Sequence, residues 1–294
     1  MATVATVGTF DGFHAGHRRL LGRLQREASS RGAESLAVTF DTHPLAVVAP
    51  GRVPRLLMSR ADVESHIVAA GVDRIEVMHF TGEVAALTAR QFMEYLRREY
   101  DTCALLMGYD NSIGSDRPGT PEAYIAAAGD AGIDILFDEP YVDPVTGLTP
   151  SSTLLRRLLG EGDMATYTRL AGEKFGMRGT VAHGQRNGHR LGFPTLNVVP
   201  DEALCIPAAG VYAGAVNVGG NDYRAVVNIG TNPTIAAGNA LTVEAHAIDT
   251  DLGERYGSEV TITFDKMLRH EQRFDSLEQL REAIAADIAT ARAL

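Results

Sequence analysis

Two histidines three residues apart, His14 and His17, stand in VGTFDGFHAGHRRLL at residues 7–21. At the start of a helix such a pair shares a face, and two imidazoles aimed at an anion can stabilise charge that develops during nucleotidyl transfer. Zinc is the competing reading, but no cysteine pair or third histidine lies nearby at metal spacing. A second polar group, Ser152, Thr153 and Arg156 in TPSSTLLRR, opens another helix pattern that Ser151 or Ser152 can cap. It reads either as a capped helix with a solvated arginine or as a clamp on a triphosphate. In LGFPTLN, Thr195 and Asn197 put hard oxygen atoms on one side of an extended segment, suited to Mg²⁺ bound mainly by nucleotide phosphate and water. An ordinary polar strand end would look the same. Glu244 is a carboxylate inside the otherwise apolar LTVEAHAID, where desolvation would raise its proton affinity and suit it to act as a base.

The elements around these residues are legible from pattern. ATVATVGTF reads as a buried strand ending at Gly8 or Phe10, and Leu20, Leu21, Leu24 and Ala28 recur at helical spacing from His17 to about Arg31. The histidines therefore sit on a strand-to-helix turn. There free N–H groups and the helix dipole favour phosphate, and Gly8, Gly12 and Gly16 permit close backbone approach. ESLAVTF, RIEVMHF, CALLMGY and IDILFDEPY are the next strand candidates; RADVESHIVAAG, ARQFMEYLRREY and TPEAYIAAAGDAG are helix candidates among them. Such alternation predicts a parallel, doubly wound sheet, whose ligands bind beyond the carboxyl ends of the strands. The stretches Gly8–His17, Phe40–Pro44 and Gly108–Arg117, with the turn before Ser151, are expected to meet there.

After about residue 175 the pattern changes to short strands. VYAGAVNV and YRAVVNIG flank the turn signal GGND, and LTVEAHAID and EVTITFD alternate, which predicts a small closed β-barrel. A terminal helix, SLEQLREAIAADIATARAL, carries a capping-box pattern in Ser276 and Gln279 and presents Leu277, Leu280, Ile284 and Ile288 on the face expected to pack on the barrel.

Composition bounds the function classes. A length of 294 residues predicts two domains, and 45% hydrophobic content is enough for packed cores. A net charge of -10 argues against a broad nucleic-acid surface. No run of about eighteen apolar residues and no basic leader with a cleavage site is present, so no membrane partner and a cytoplasmic location are expected. Cys103 and Cys205 form no disulfide framework and are expected to be small buried hydrophobes. No GxxxxGK[ST] stretch occurs, which excludes a P-loop, and lysine is confined to Lys174 and Lys266. Any phosphate clamp must use arginine, histidine, backbone N–H groups or a metal. Oligomeric state is not legible.

GTFDGFHAGH together with SSTLLR resembles the paired signature of the HxGH nucleotidyltransferases, Rossmann-like proteins in which these segments embrace ATP or CTP. The second half resembles riboflavin kinase through GxxxGxxLGFPTxN, GVY, NIGxxPT, VExH and a terminal FxSxxxLxxxIxxD, in that order. End to end, the chain is similar to the bacterial bifunctional riboflavin kinase/FAD synthetase family. The resemblance implies an FMN adenylyltransferase domain over residues 1–170 and a riboflavin kinase domain over 171–294, with ATP, riboflavin, FMN and FAD as substrates or products. It implies nucleotide-binding roles for Gly8, Phe10, Asp11, Gly12, Gly16, Ser152 and Thr153, and His14, His17 and Arg156 orienting ATP for attack by the FMN phosphate. In the kinase half it implies a phosphate loop with Gly184 and Gly188, Mg²⁺ with ATP on Thr195 and Asn197, and Glu244 as the base.

One loop departs from the family pattern. Where GxDFxFG is usual, this chain has Gly108-Tyr109-Asp110-Asn111-Ser112-Ile113-Gly114, without either aromatic residue. Asp110 and Asn111 are the flavin-binding candidates, Asn111 substituting a hydrogen bond for an aromatic contact. The departure leaves an alternative open, a kinase whose N-terminal domain uses CTP or another acceptor or is inactive. A flavin-binding regulatory protein is a third reading, of a different class.

Overall fold

The computed structural model describes residues 1–183, 192–231 and 241–294. By packing, the chain forms two compact units: Met1–Pro54 with Met58–Ser151, and Arg55–Leu57 with Ser152–Leu294.

The first unit runs β1 (Thr3–Val7), α1 (Ala15–Arg31), β2 (Glu34–Phe40), α2 (Pro44–Val48), α3 (Arg60–Ala69), β3 (Arg74–Met78), α4 (Gly82–Ala86), α5 (Ala89–Tyr100), β4 (Thr102–Met107), α6 (Pro121–Ala131) and β5 (Asp134–Phe137). Its five strands are parallel in the order β3-β2-β1-β4-β5. The expected doubly wound sheet is present. Alternate residues of each strand face opposite layers, so both faces must be covered. Leu21, Leu24 and Ala28 of α1 with Val63 and Ile67 of α3 pack on Val4, Ala37 and Ala104. Phe92, Met93 and Leu96 of α5 with Tyr124 and Ala128 of α6 pack on Ala5, Leu36 and Leu105. Chain order reverses between β1 and β4, which makes the space beyond their carboxyl ends the topological switch point.

The second unit continues with α7 (Ser152–Glu161), α8 (Met164–Ala171), β6 (Gly176–Ala182), β7 (Leu196–Pro200), β8 (Gly210–Val218), β9 (Asn221–Thr231), β10 (Leu241–Ala247), β11 (Glu259–His270) and α9 (Leu277–Ala293). Its strands close as β10-β7-β6-β11-β8-β9, with β10 paired to both β7 and β9. Closure removes the exposed edges that short strands would otherwise present. Tyr212 and Phe264 are fully buried and meet edge to face at 5.3 Å. The β8–β9 hairpin turns on Gly219 and Gly220, both at positive φ as a two-residue turn demands.

Local differences from the sequence reading have local causes. α1 begins at Ala15, because His14 itself serves as its N-cap by accepting from His17 N. The strand after Arg74 ends at Met78 rather than Phe80, and the one before Asp138 spans only Asp134–Phe137. In α9 the capping box is half formed: Ser276 accepts from Gln279 N, but the Gln279 side chain accepts from Asp275 N. Leu277 is 71% exposed, so the packing face is carried by Ile284, Ile288 and Ala291 against Val211, Ala213 and Val226. Cys205 is buried, whereas Cys103 is only half-buried.

Candidate active site

In the first unit the polypeptide leaves β1 through a tight turn. Phe10 and Phe13 both have positive φ, 50° and 25°, a conformation costly for aromatic residues and held by deep burial of both rings. The turn delivers His14 and His17 side by side, their rings stacked at 3.8 Å and 16°. Gly16 fits closely there: a Cβ would come within 3.1 Å of the His14 ring, which would have to give by a few tenths of an ångström. The carbonyl of Pro150 is the next nearest group, which brings the turn before Ser151 to the same place.

Protonation states follow from this geometry. His14 Nδ1 accepts from His17 N at 3.4 Å, so its proton resides on Nε2. Burial, reinforced by the Arg18 charge, lowers the His14 pKa to about 4. Burial, then the His14 and Arg18 charges, hold His17 well below the usual histidine range. At neutral pH the pair is uncharged. His17 Nδ1 is buried without a hydrogen-bond partner among the described residues, an orphaned polar atom at a helix N-terminus. Asp11, 3% exposed, accepts from Met58 N and anchors the turn.

At the switch point lies a cleft of about 600 Å³. Gly8 and Thr9 follow β1, Phe40 and Phe80 form an edge-to-face aromatic wall at 5.1 Å, and Asn111 and Arg117 come from the loop after β4. Asn111 Nδ2 donates to Val7 O at 2.9 Å and so bridges the ends of β1 and β4. Asp110 is exposed and lies outside the lining. Ile113, at the second missing aromatic position, is buried, and its backbone N–H and C=O both bond the hydroxyl of Tyr124.

In the second unit Ser152, Thr153 and Arg156 occupy the first turns of α7, and Arg156 Nε donates to Arg55 O at 2.8 Å. The barrel carries its own cleft, of about 730 Å³, lined by Pro194, Thr195, Asn197, Ala245, Arg255 and Tyr256 among others. Register explains how separate strands assemble the polar group: Glu244 faces Asn197 on β7 and Asn228 on β9. Thr195 Oγ1 donates to Glu244 Oε2 at 3.3 Å. Hydroxyl, amide and carboxylate oxygens thus gather around one point. Gly184 and Gly188 lie outside the described residues. Sequence reasoning did not single out Asn228, although it stands in the NIGxxPT stretch; its cross-strand position opposite Glu244 is what marks it. Among the described residues no group of three or more His, Cys, Asp or Glu is placed to hold a metal ion.

A parallel switch-point sheet with an HxGH turn, followed by a six-stranded barrel with a polar cluster on β7, β9 and β10, defines a nucleotidyltransferase-type unit joined to a kinase-type barrel. Family models agree, matching FAD synthetase over residues 1–144 and riboflavin kinase over residues 171–294. The chain belongs to the bifunctional riboflavin kinase/FMN adenylyltransferase family. It is 35% identical to such a protein of Pseudomonas fluorescens, over 99% of this chain and 92% of that one. The Escherichia coli (strain K12) relative is also 35% identical, over 98% and 91%, and that of Bacillus subtilis (strain 168) 28%, over 97% and 90%. A crystal structure described as a macrolide-efflux protein from Streptococcus pneumoniae is similar throughout, with TM-score 0.86 and 26% identity over 100% of this chain and 95% of that one. Among the described residues of this chain no helix is long and apolar enough to cross a membrane.

Proposed function

We propose that this chain makes FAD in two steps, phosphorylating riboflavin at the barrel and adenylylating FMN at the parallel-sheet unit. The observation that carries the reading is that the stacked His14–His17 turn and the Glu244–Thr195 polar group fall on two separately packed units. A kinase with an inactive first domain would not need a buried pair of neutral histidines with an orphaned nitrogen.

At the barrel, Glu244 takes the proton from the terminal ribityl hydroxyl of riboflavin as that oxygen bonds to the γ-phosphorus of ATP. The bond to the ADP oxygen breaks, and ADP leaves. Thr195 and Asn197 supply hard oxygen donors next to a carboxylate, a set that fits Mg²⁺ carried on nucleotide phosphate. Bound there, Mg²⁺ would neutralise phosphate charge.

At the histidine turn, an FMN phosphate oxygen attacks the α-phosphorus of ATP, the bond to the β-phosphate oxygen breaks, and pyrophosphate leaves. His14 donates from Nε2 to the phosphates, the N-terminus of α1 adds dipole and N–H groups, and Gly8, Phe10, Asp11, Gly12 and Gly16 shape the turn. Ser152, Thr153 and Arg156, in the first turns of α7, are assigned to binding nucleotide phosphate. The Phe40–Phe80 wall suits the flat flavin rings, with Asn111 at its edge, so aromatic contact is provided from strand ends other than the altered loop. We assign residues 1–170 to the adenylyltransferase and 171–294 to the kinase, both working in the cytoplasm on small molecules alone.

The deciding test incubates the protein with riboflavin and Mg²⁺ plus ATP or CTP separately, and resolves flavins by chromatography with mass detection. FMN followed by FAD from ATP is expected. FMN alone, or a cytidylyl flavin, would overturn the adenylyltransferase half.

A further inference from the structure

β10 reads in alternation: Val243, Ala245 and Ala247 are buried, while Thr242, Glu244 and His246 occupy the opposite face and are half-buried. Glu244 and His246 are therefore neighbours on one face. The paired register of β10 with β7 runs Val243–Val198, Glu244–Asn197 and Ala245–Leu196. Continued by one pair, it sets His246 opposite Thr195.

The imidazole holds the residue before that threonine. His246 Nδ1 lies 2.7 Å from Pro194 O. A carbonyl can only accept, so the proton must be on Nδ1, and the ring is further oriented by its edge-to-face contact with Phe193 at 5.7 Å. The Pro194 carbonyl belongs to the peptide plane that leads into Thr195. Fixing that plane fixes the backbone from which the threonine side chain rises, and Thr195 Oγ1 in turn donates to Glu244 Oε2. The contacts close a circuit: from Glu244 along β10 to His246, across to Pro194, through one peptide to Thr195, and back to Glu244.

We propose that His246 is a positioning residue for phosphoryl transfer, its Nδ1–H pinning the Pro194 carbonyl so that the Thr195 hydroxyl and the Glu244 carboxylate keep a fixed relation. The proposal rests on the reading of Glu244 as the base. Small displacements of reacting groups are expensive in rate, of the order of a hundredfold for about 1 Å. The cost should fall on turnover more than on riboflavin binding.

The two ring nitrogens separate this role from a packing role. Asn at 246 places an amide donor near the Nδ1 position, Gln places it near Nε2, and Leu keeps bulk without a donor. The experiment measures kcat and KM for riboflavin phosphorylation in His246→Asn, His246→Gln and His246→Leu, with adenylylation of supplied FMN as the control for folding. The expected result is a loss in kcat of about tenfold or more for the Leu and Gln variants, KM for riboflavin within about threefold, and substantial recovery in the Asn variant. Nitrogen-15 NMR of the wild-type protein should show His246 protonated at Nδ1. Equal losses in all three variants, a rise in KM at unchanged kcat, or a ring protonated only at Nε2 would each overturn the proposal. Glu244→Ala tells the two levels apart. A fully active kinase in that variant removes the base reading itself, whereas an inactive one beside an unimpaired His246→Leu removes only the positioning role.

Discussion

His14 has two properties that both favour its neutral form, since it caps α1 through an unprotonated Nδ1 and is buried where a charge is costly. Its pKa in the folded protein is about 4 against an ordinary 6.5. Below pH 6.5 the unfolded chain takes up a proton there that the folded chain refuses, so stability falls as pH drops through the window from 6.5 to about 4 and falls no further from this group beneath it. The slope is about 1.4 kcal/mol per pH unit within that window. Replacing His14 with Asn puts a capping oxygen in place of the ring Nδ1 and removes the titration. The variant's urea midpoint should therefore decline less between pH 7 and pH 5 than the wild type's; an identical decline would show that the buried histidine is not the acid-sensitive group. At the same scale, the spacing of His14 and His17 was readable, while their stacking was not. It depends on the Phe10 and Phe13 backbone at positive φ, which sequence patterns disfavour.

Among elements, the start of α1 concentrates the geometry. Gly16 has an ordinary helical backbone, so alanine there would raise helix propensity by up to about 1 kcal/mol while pressing a methyl group on the His14 ring. Gly16→Ala should accordingly cut nucleotidyl transfer at least about tenfold without loss of thermal stability, and leave riboflavin phosphorylation unchanged. Product chromatography beside a melting curve checks both parts; unimpaired FAD formation would remove the close approach from the list of requirements. Long periodic elements such as α5, with Thr88 as cap and Phe92, Met93 and Leu96 buried, were legible almost to the residue. The five-residue helices α2 and α4 were not, because each is a single turn whose stability comes from its neighbours rather than from its own periodicity.

For the whole molecule, two reactions on two units imply that each can be lost alone. His17→Ala should make FMN and stop, and Glu244→Ala should convert supplied FMN to FAD but leave riboflavin untouched. An equimolar mixture of the two variants should make FAD from riboflavin, with FMN passing through solution. If the mixture makes FMN but no FAD while Glu244→Ala still accepts supplied FMN, the FMN formed at one site does not reach the other chain.

The order of signatures and the change from helical to alternating pattern near residue 175 were determined by the sequence alone, as was the choice of most polar candidates for the two sites. Each is carried by residues close together in the chain, where turn chemistry and side-chain periodicity act directly. Tertiary structure decided the rest. Asn111 meets Val7 across 104 positions, bridging two strand ends that only the switch in strand order makes adjacent. Glu244 meets Asn197 and Asn228 because the barrel closes in one register, and a slip of one residue would turn the carboxylate to the opposite face. That register is a property of the packed barrel as a whole, and no single stretch of the chain contains it.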